Sequence, residues 1–150
     1  MQITTFSDYC LRILIFLAVD DAAKTSSKEI AQRYGISIEH AAKASKWLTR
    51  AGYVESVRGK GGGISLVRAP DTIKLGQLIR LTEGRKGLVQ CQRDHNNECI
   101  IHGACALPSI LNTALSAFYE TLDGFTLADV IKNQEGLAAL LQNSDVPHET

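Results

Sequence analysis

The sequence is poor in aromatic residues, proline and methionine, and it carries no net charge. Aromatic side chains make up 6% of its 150 residues, so aliphatic side chains must form most of the core. No run approaches the roughly 18 apolar residues that a membrane-spanning helix needs. The apolar N-terminal stretch follows no basic segment, and Asp8 and Arg12 interrupt it, which is atypical of a secretion signal. We therefore expect a cytoplasmic protein without a membrane anchor.

The charged residues are unevenly distributed between the two halves of the chain. Residues 1–70 hold ten Lys and Arg against six Asp and Glu, a net charge of +4, and residues 71–150 hold six against ten, a net charge of −4. A basic N-terminal half predicts contact with an anionic partner such as nucleic acid. The sequence has no convincing nucleophile–base set and no cofactor fingerprint, so we do not expect an enzyme.

The N-terminal third predicts three helices. Over residues 4–19 apolar side chains recur at spacings of three and four, as on one helical face: Phe6, Cys10, Leu14 and Leu17. Ser26 and Glu29 fit a capping box at the start of a second helix, which Gly35 ends. Ser37 caps a third helix. Two short helices joined by a tight turn are the helix-turn-helix pattern.

A glycine-rich hairpin is predicted directly after these helices. Strand-like runs at residues 53–57 and 64–67 enclose the segment RGKGGG, and this order is typical of the wing of winged-helix proteins. The segment lacks the Gly-Lys-Ser or Gly-Lys-Thr of a phosphate-binding loop. Arg and Lys beside glycines suit a narrow minor groove. The predicted DNA contacts are the polar residues of the third helix and of the wing: Ser37, Glu39, His40, Lys43, Lys46, Arg50, Arg58 and Lys60.

The C-terminal half is predicted to be helical on both sides of an irregular segment. A short amphipathic helix covers residues 73–81, and residues 83–104 are irregular. A long helix with an apolar stripe begins at Leu107 and ends at Asp123 and Gly124. Thr126 caps a further helix, with Asp129 in the capping-box position. The predicted fold class is mainly α, a winged helix-turn-helix with a small β-hairpin wing and a long C-terminal helix.

Cys91, Cys99 and Cys105 form the pattern C-x7-C-x5-C among polar residues, where buried cysteines are not expected. Soft thiolates on one loop suit an iron–sulfur cluster or zinc, although structural zinc sites usually contain close C-x2-C pairs. Three thiolates leave a fourth ligand to be found, from His95, His102 or another subunit. Cys10, in contrast, lies on the apolar face of the first helix and is expected in the core.

Four stretches of the chain together resemble a known family. These are MQITTFSDYCLRIL, the helix-turn-helix, the wing RGKGGGISLVRAP and the cysteine pattern. They resemble the iron–sulfur winged-helix transcription repressors, the family that includes IscR and NsrR. The resemblance covers about residues 1–140 and is strongest in SVRGKGGG and from CQRDHNNECIIHGAC to FTLADVI. Within the family, the nitric-oxide-sensing branch fits best.

The resemblance implies a homodimer with crossed long helices, here residues 107–122, that binds double-stranded operator DNA. It divides the chain into a DNA-binding domain (1–82), a cluster-binding loop (83–106), dimerisation helices (107–142) and a flexible tail (143–150). It implies that nitric oxide, by modifying or removing the cluster, releases the DNA. The alternatives are a repressor that senses iron or redox state, a thiol switch without iron, and a small redox protein.

The resemblance also implies the ligand set. In nitric-oxide-sensing members a carboxylate at the start of the partner's first helix completes a [4Fe–4S] cluster on the three cysteines, and Asp8 occupies that position, with Arg12 as its partner. Other members hold a [2Fe–2S] cluster with a histidine three residues after the last cysteine, where this chain has Pro108, so [2Fe–2S] is the second choice. The residues alone predict a surface Asp8–Arg12 ion pair and leave Cys10 as a rival ligand.

Overall fold

The computed structural model describes residues 2–19, 24–57, 59, 61–84, 87–93 and 99–142. Helices dominate this part of the chain, and a two-stranded antiparallel sheet follows the third helix. The elements are α1 (Thr5–Val19), α2 (Ser27–Tyr34), α3 (Ile38–Arg50), β1 (Val54–Val57), β2 (Gly63–Leu66), a 3₁₀ turn (Pro70–Thr72), α4 (Leu75–Glu83), α5 (Gln90–Arg93), α6 (Leu107–Asp123), α7 (Leu127–Val130) and α8 (Gln134–Gln142). No helix in the described ranges is both long and apolar enough to cross a membrane.

The chain divides into two compact units. The first comprises Met1–Ile73 and Thr126–Thr150, and the second comprises Lys74–Phe125. The bounds of these units differ from those of the predicted segments 1–82, 83–106, 107–142 and 143–150. Those segments were defined by function, and that division of the chain stays a prediction. The last of those segments lies outside the described residues.

Helix α1 is the centre of the first unit. It packs against α2, α3, β2, α7 and α8. Cys10 and Leu14 are fully buried and Leu17 is nearly so, as the spacing predicted, while Phe6 is half-buried. Each large aliphatic side chain buried in this way stabilises the fold by about 1.5–3 kcal/mol.

The helix-turn-helix is built from local signals that the sequence carries. The Ser26 hydroxyl accepts a hydrogen bond from the Glu29 amide at 3.1 Å. Gly35 ends α2 with a φ of 61°, a left-handed conformation that favours glycine. The Ser37 hydroxyl then accepts from the His40 amide at 3.4 Å and starts α3. The caps predicted at Ser26, Gly35 and Ser37 are confirmed.

The wing is the hairpin of β1 and β2 with its connecting loop. Val54 pairs with Leu66, and Val57 pairs with Gly63. Thr25 adds a bridge on the outer side of β2, where its amide donates to the Ile64 carbonyl at 3.3 Å and its carbonyl accepts from the Ile64 amide at 2.9 Å. The wing is therefore hydrogen-bonded to the segment that precedes α2.

The second unit is held by α4 packed on α6. Gly76 of α4 lies so close to α6 that a Cβ there would come within 2.7 Å of the Tyr119 carbonyl oxygen. The Arg80 guanidinium donates to Asp123 at 2.6 Å and lies 4.8 Å from the centre of the Tyr119 ring. A small residue and an ion pair thus fix the two helices at close distance.

Two predictions of secondary structure were wrong, and one helix was missed. The helix expected over residues 73–81 runs from Leu75 to Glu83, because the Ile73 backbone is extended and its carbonyl accepts from the Leu127 amide. The segment 83–104 was expected to be irregular, but one helical turn forms at Gln90–Arg93. Helix α8 was not identified separately. It packs on α1 and α2.

Candidate nucleic-acid interface and metal-ligand segment

Helix α3 presents one buried face and one exposed polar face. Ala41, Ala44 and Leu48 are fully buried. The predicted DNA-contacting residues of this helix and its cap are all exposed: Ser37, Glu39, His40, Lys43, Lys46 and Arg50. The last three lie three or four residues apart and form one positively charged stripe. Such a face suits a major groove with phosphates beside it.

Contacts with α1 hold α3 in place. The His40 ring lies 6.1 Å from the Tyr9 ring, between ring centres. The Trp47 ring meets the Phe6 ring edge-on at 5.9 Å. Helix α1 is therefore in direct contact with the helix that carries the proposed base contacts.

An aromatic stack joins α3 to Tyr53, the residue that immediately precedes β1 of the wing. The Trp47 and Tyr53 rings lie 6.4 Å apart and are nearly parallel. The Arg68 guanidinium lies over the Tyr53 ring, 4.6 Å from the ring centre, and its Nε donates to the Gly52 carbonyl at 2.9 Å. Burial raises the pKa of Tyr53, and the Arg68 charge opposes that rise. Trp47 and Arg68 were not among the predicted site residues, because neither belongs to a local motif.

The tip of the wing needs glycine for its backbone conformation. Gly59 and Gly61 have φ values of 104° and 78°, and the Gly62 amide donates to the Gly59 carbonyl at 2.9 Å. The two predicted minor-groove cations, Arg58 and Lys60, lie outside the described residues.

The three cysteines of the pattern all belong to the second unit. Cys91 lies half-buried in α5, Cys99 is exposed in the following segment, and Cys105 is half-buried just before α6. None of the three forms a disulfide bond. His102 is exposed, and its amide donates to the Cys99 carbonyl at 3.0 Å, whereas His95 lies outside the described residues.

The donor chemistry of this segment fits a soft metal or an iron–sulfur cluster, because three thiols occur within fifteen residues of one unit. Within the described part of the chain, no three His, Cys, Asp or Glu side chains are grouped closely enough to hold a metal ion. The three thiols are therefore candidate metal ligands on the grounds of their chemistry and their positions in the sequence.

Asp8 and Arg12 form the ion pair that the sequence predicts, with 2.9 Å between Arg12 Nε and Asp8 Oδ2. The side chains remain 39% (Arg12) and 37% (Asp8) exposed, so Asp8 is accessible from outside the unit. Arg12 also lies 5.7 Å from the centre of the Tyr34 ring at the end of α2. Burial raises the pKa of Tyr34 to about 12.

Cys10 follows Asp8 by two residues but lies in a different environment. Its side chain is fully buried in the core, as predicted, and burial raises the pKa of its thiol to about 12. A core thiol of this kind has no access to a group bound elsewhere.

Comparisons with known proteins agree with this fold. The model of the Rrf2 family, described as an iron-dependent transcriptional regulator, matches residues 3–133. The HTH-type transcriptional regulator NsrR of Bacillus licheniformis is 44% identical over 142 residues, which cover 94% of this chain and 99% of that protein. NsrR of Bacillus subtilis is 42% identical over 143 residues, which cover 95% and 98%.

The solved structure of T. potens IscR matches with a TM-score of 0.69 and 30% identity, over 89% of this chain and 88% of that chain. The predicted winged helix-turn-helix fold is thereby confirmed. The family consists of transcriptional regulators, so the prediction that the chain is not an enzyme is confirmed as well. The chain therefore belongs to the Rrf2 family of iron-dependent transcriptional regulators, which bind DNA through a winged helix-turn-helix.

Proposed function

We propose that this protein is a cytoplasmic, homodimeric repressor that senses nitric oxide through a [4Fe–4S] cluster and then releases its operator DNA. The proposed ligands are Cys91, Cys99, Cys105 and Asp8 of the partner subunit. The observation that carries the proposal is the combination of an exposed basic recognition helix with three thiols, none in a disulfide, inside a family of iron-dependent regulators.

The exposed face of α3 supports operator binding. Lys43, Lys46 and Arg50 can neutralise phosphates, while Ser37, Glu39 and His40 lie at the start of the helix, where base edges are read. Arg58 and Lys60 are proposed to add minor-groove contacts from the wing.

Helix α6 supports the homodimer. This 17-residue helix has no fully buried side chain within one chain, and Leu107 and Ile110 are 48% and 62% exposed. An apolar stripe of this length is stable in water when a second copy covers it. Pairing two copies places two recognition helices on one DNA, where half-sites one turn apart require about 34–36 Å between them.

The surroundings of Asp8 support its role as the fourth ligand in preference to Cys10. Asp8 is accessible on the surface of α1, whereas Cys10 is fully buried. When bound, the cluster would supply iron that reacts with nitric oxide. Engaging Asp8 from the other subunit would compete with its ion pair to Arg12, which contacts Tyr34 of α2. A signal can shift DNA binding only through such a difference between two states.

A sensor of iron or redox status is the second candidate, because the family is described as iron-dependent. Anaerobic titration of the cluster-loaded protein with nitric oxide separates the two, with visible absorbance and operator affinity followed together. A parallel fall of both supports nitric oxide sensing. Unchanged operator affinity in the presence of a modified cluster favours iron or redox sensing.

Variants test the ligand set in the same assay. Cys99→Ala should abolish cluster absorbance, and Asp8→Asn should weaken cluster retention, while the matched control Asp71→Asn, an exposed aspartate elsewhere in the first unit, should retain it. Full absorbance in Cys99→Ala would refute the ligand set. Protein without iron that forms disulfides on oxidation would point instead to a thiol switch.

A further inference from the structure

The Gln92 side chain makes four hydrogen bonds beside Cys91. Its carbonyl oxygen accepts from the Leu88 amide at 2.8 Å and from the Val89 amide at 3.4 Å. Its amide nitrogen donates to the Pro108 carbonyl at 3.0 Å and to the Asn112 side-chain oxygen at 2.9 Å. One side chain therefore joins the start of α5 to the first turns of α6.

Packing around Gln92 is tight on the side of the preceding loop. A Cβ at Gly87 would lie 2.9 Å from the Gln92 backbone carbonyl carbon and closer still to the Gln92 Cβ. Glycine at position 87 thus allows the loop to pass directly over Gln92. The loop, α5 and the start of α6 meet at this one residue.

These contacts connect the segments that carry two of the proposed ligands. Cys91 immediately precedes Gln92, and Cys105 lies three residues before Pro108. We infer that Gln92 is a positioning residue, whose hydrogen bonds to α6 hold the turn with Cys91 in a fixed place relative to Cys105. Its role in cluster retention rests on the proposed function, but its role in placing the two thiols does not.

The chemistry explains why glutamine suits this position. The site requires an acceptor on one side, for two backbone amides, and a donor on the other, for a carbonyl and an amide oxygen. Glutamine supplies both from one planar group. Glutamate keeps the acceptor but sets a carboxylate against the Pro108 carbonyl, and methionine has a similar length but supplies neither.

Three variants test the inference. Gln92→Met removes both halves of the network, and Gln92→Glu removes only the donation to α6. Gln90→Met is the matched control, because Gln90 is exposed on the other side of Cys91 in the same turn. We expect both Gln92 variants to lose iron to a chelator about tenfold faster than wild type. A factor of about ten is the lower end of the range of effects for residues that orient metal ligands. We expect Gln90→Met to lose iron at the wild-type rate.

A second readout needs no cluster. The protein is the iron-free Cys99→Ala variant, in which Cys91 and Cys105 are the two remaining cysteines of the pattern. One sample is treated with dibromobimane, a bifunctional reagent that becomes fluorescent when it joins two thiols. A second sample is treated with monobromobimane, which reacts with each thiol separately. Buried Cys10 does not compete for either reagent. The rate of the reaction with dibromobimane, divided by the rate of the reaction with monobromobimane, should fall several-fold in both Gln92 variants and stay unchanged in Gln90→Met.

If Gln92→Glu behaves as wild type in both readouts, the inference is overturned. In that case the bonds from Gln92 to α6 would not place the thiols, and Gln92 would stabilise only the local turn at Leu88 and Val89. Unchanged ratios in Gln92→Met would overturn it as well. If wild type takes up no iron while the bimane ratio falls as expected, the proposed function fails and the positioning role of Gln92 stands.

Discussion

Gly63 at the start of β2 offers a sharp test of how the wing is held. Gly63 faces the backbone of the segment before α2, and an alanine Cβ there would lie 2.8 Å from the Lys24 carbonyl carbon and 2.9 Å from the Thr25 amide nitrogen. Both are backbone atoms, so the clash cannot be relieved by rotation of a side chain. Gly63→Ala should therefore push β2 away from Thr25.

The magnitude follows from the contacts that are lost. Overpacking against a fixed backbone costs about 1–3 kcal/mol. Weakening the two hydrogen bonds between Thr25 and Ile64 adds about 1 kcal/mol. We expect the free energy of unfolding to fall by about 2–4 kcal/mol, which at an m value near 2 kcal/mol per molar urea lowers the midpoint by about 1–2 M.

The assay is urea unfolding followed by circular dichroism, at one protein concentration because the proposed dimer makes stability depend on concentration. Gly103→Ala is the control, because a Cβ at Gly103 has no atom within 4 Å, and its midpoint should shift by less than about 0.25 M. Equal midpoints for Gly63→Ala and Gly103→Ala would refute the close contact between the wing and the segment before α2.

Two further predictions concern charges. Lys46→Ala should weaken operator binding similarly for all sequences and reduce the slope of log affinity against log salt concentration by about one. The control is Lys74→Ala, an exposed lysine of the other unit, which should change neither the affinity nor the slope. An unchanged slope would remove Lys46 from the interface. A hydrogen bond from the Thr126 amide, aided by Lys132, lowers the pKa of Asp129 from 3.8 to about 2. The charged carboxylate therefore stabilises the folded state, and above about pH 4 the urea midpoint of wild type should be higher than that of Asp129→Asn. This advantage should vanish as pH falls to about 2, and a difference that persists there would contradict the capping role.

The parts of the fold that were predicted from sequence depend on local chemistry. Ser26 and Ser37 cap their helices through amides three residues away, and Gly35 ends α2 through its own backbone conformation. The long helix α6 was predicted because its apolar residues recur at helical spacing over many turns.

The parts that were missed depend on contacts between distant segments. The Gln92 amide has no partner on α6 until the chain folds, and nothing in the local sequence distinguishes Gln92 from Gln90. Helix α8 is anchored by bonds over long sequence separation, including one from Arg33 to the Gln142 carbonyl. The proposed cluster site depends on two chains, so no single chain assembles it.

The cluster of the Phe6, Trp47 and Tyr53 rings gives the protein a built-in optical reporter. Trp47 is the only tryptophan in the sequence, so all tryptophan fluorescence arises from one position on the recognition helix. Its ring contacts Phe6 of α1 and also Tyr53, at the entrance to the wing. Emission from the unlabelled protein therefore follows how the recognition helix is seated against both neighbours, in real time and without a dye.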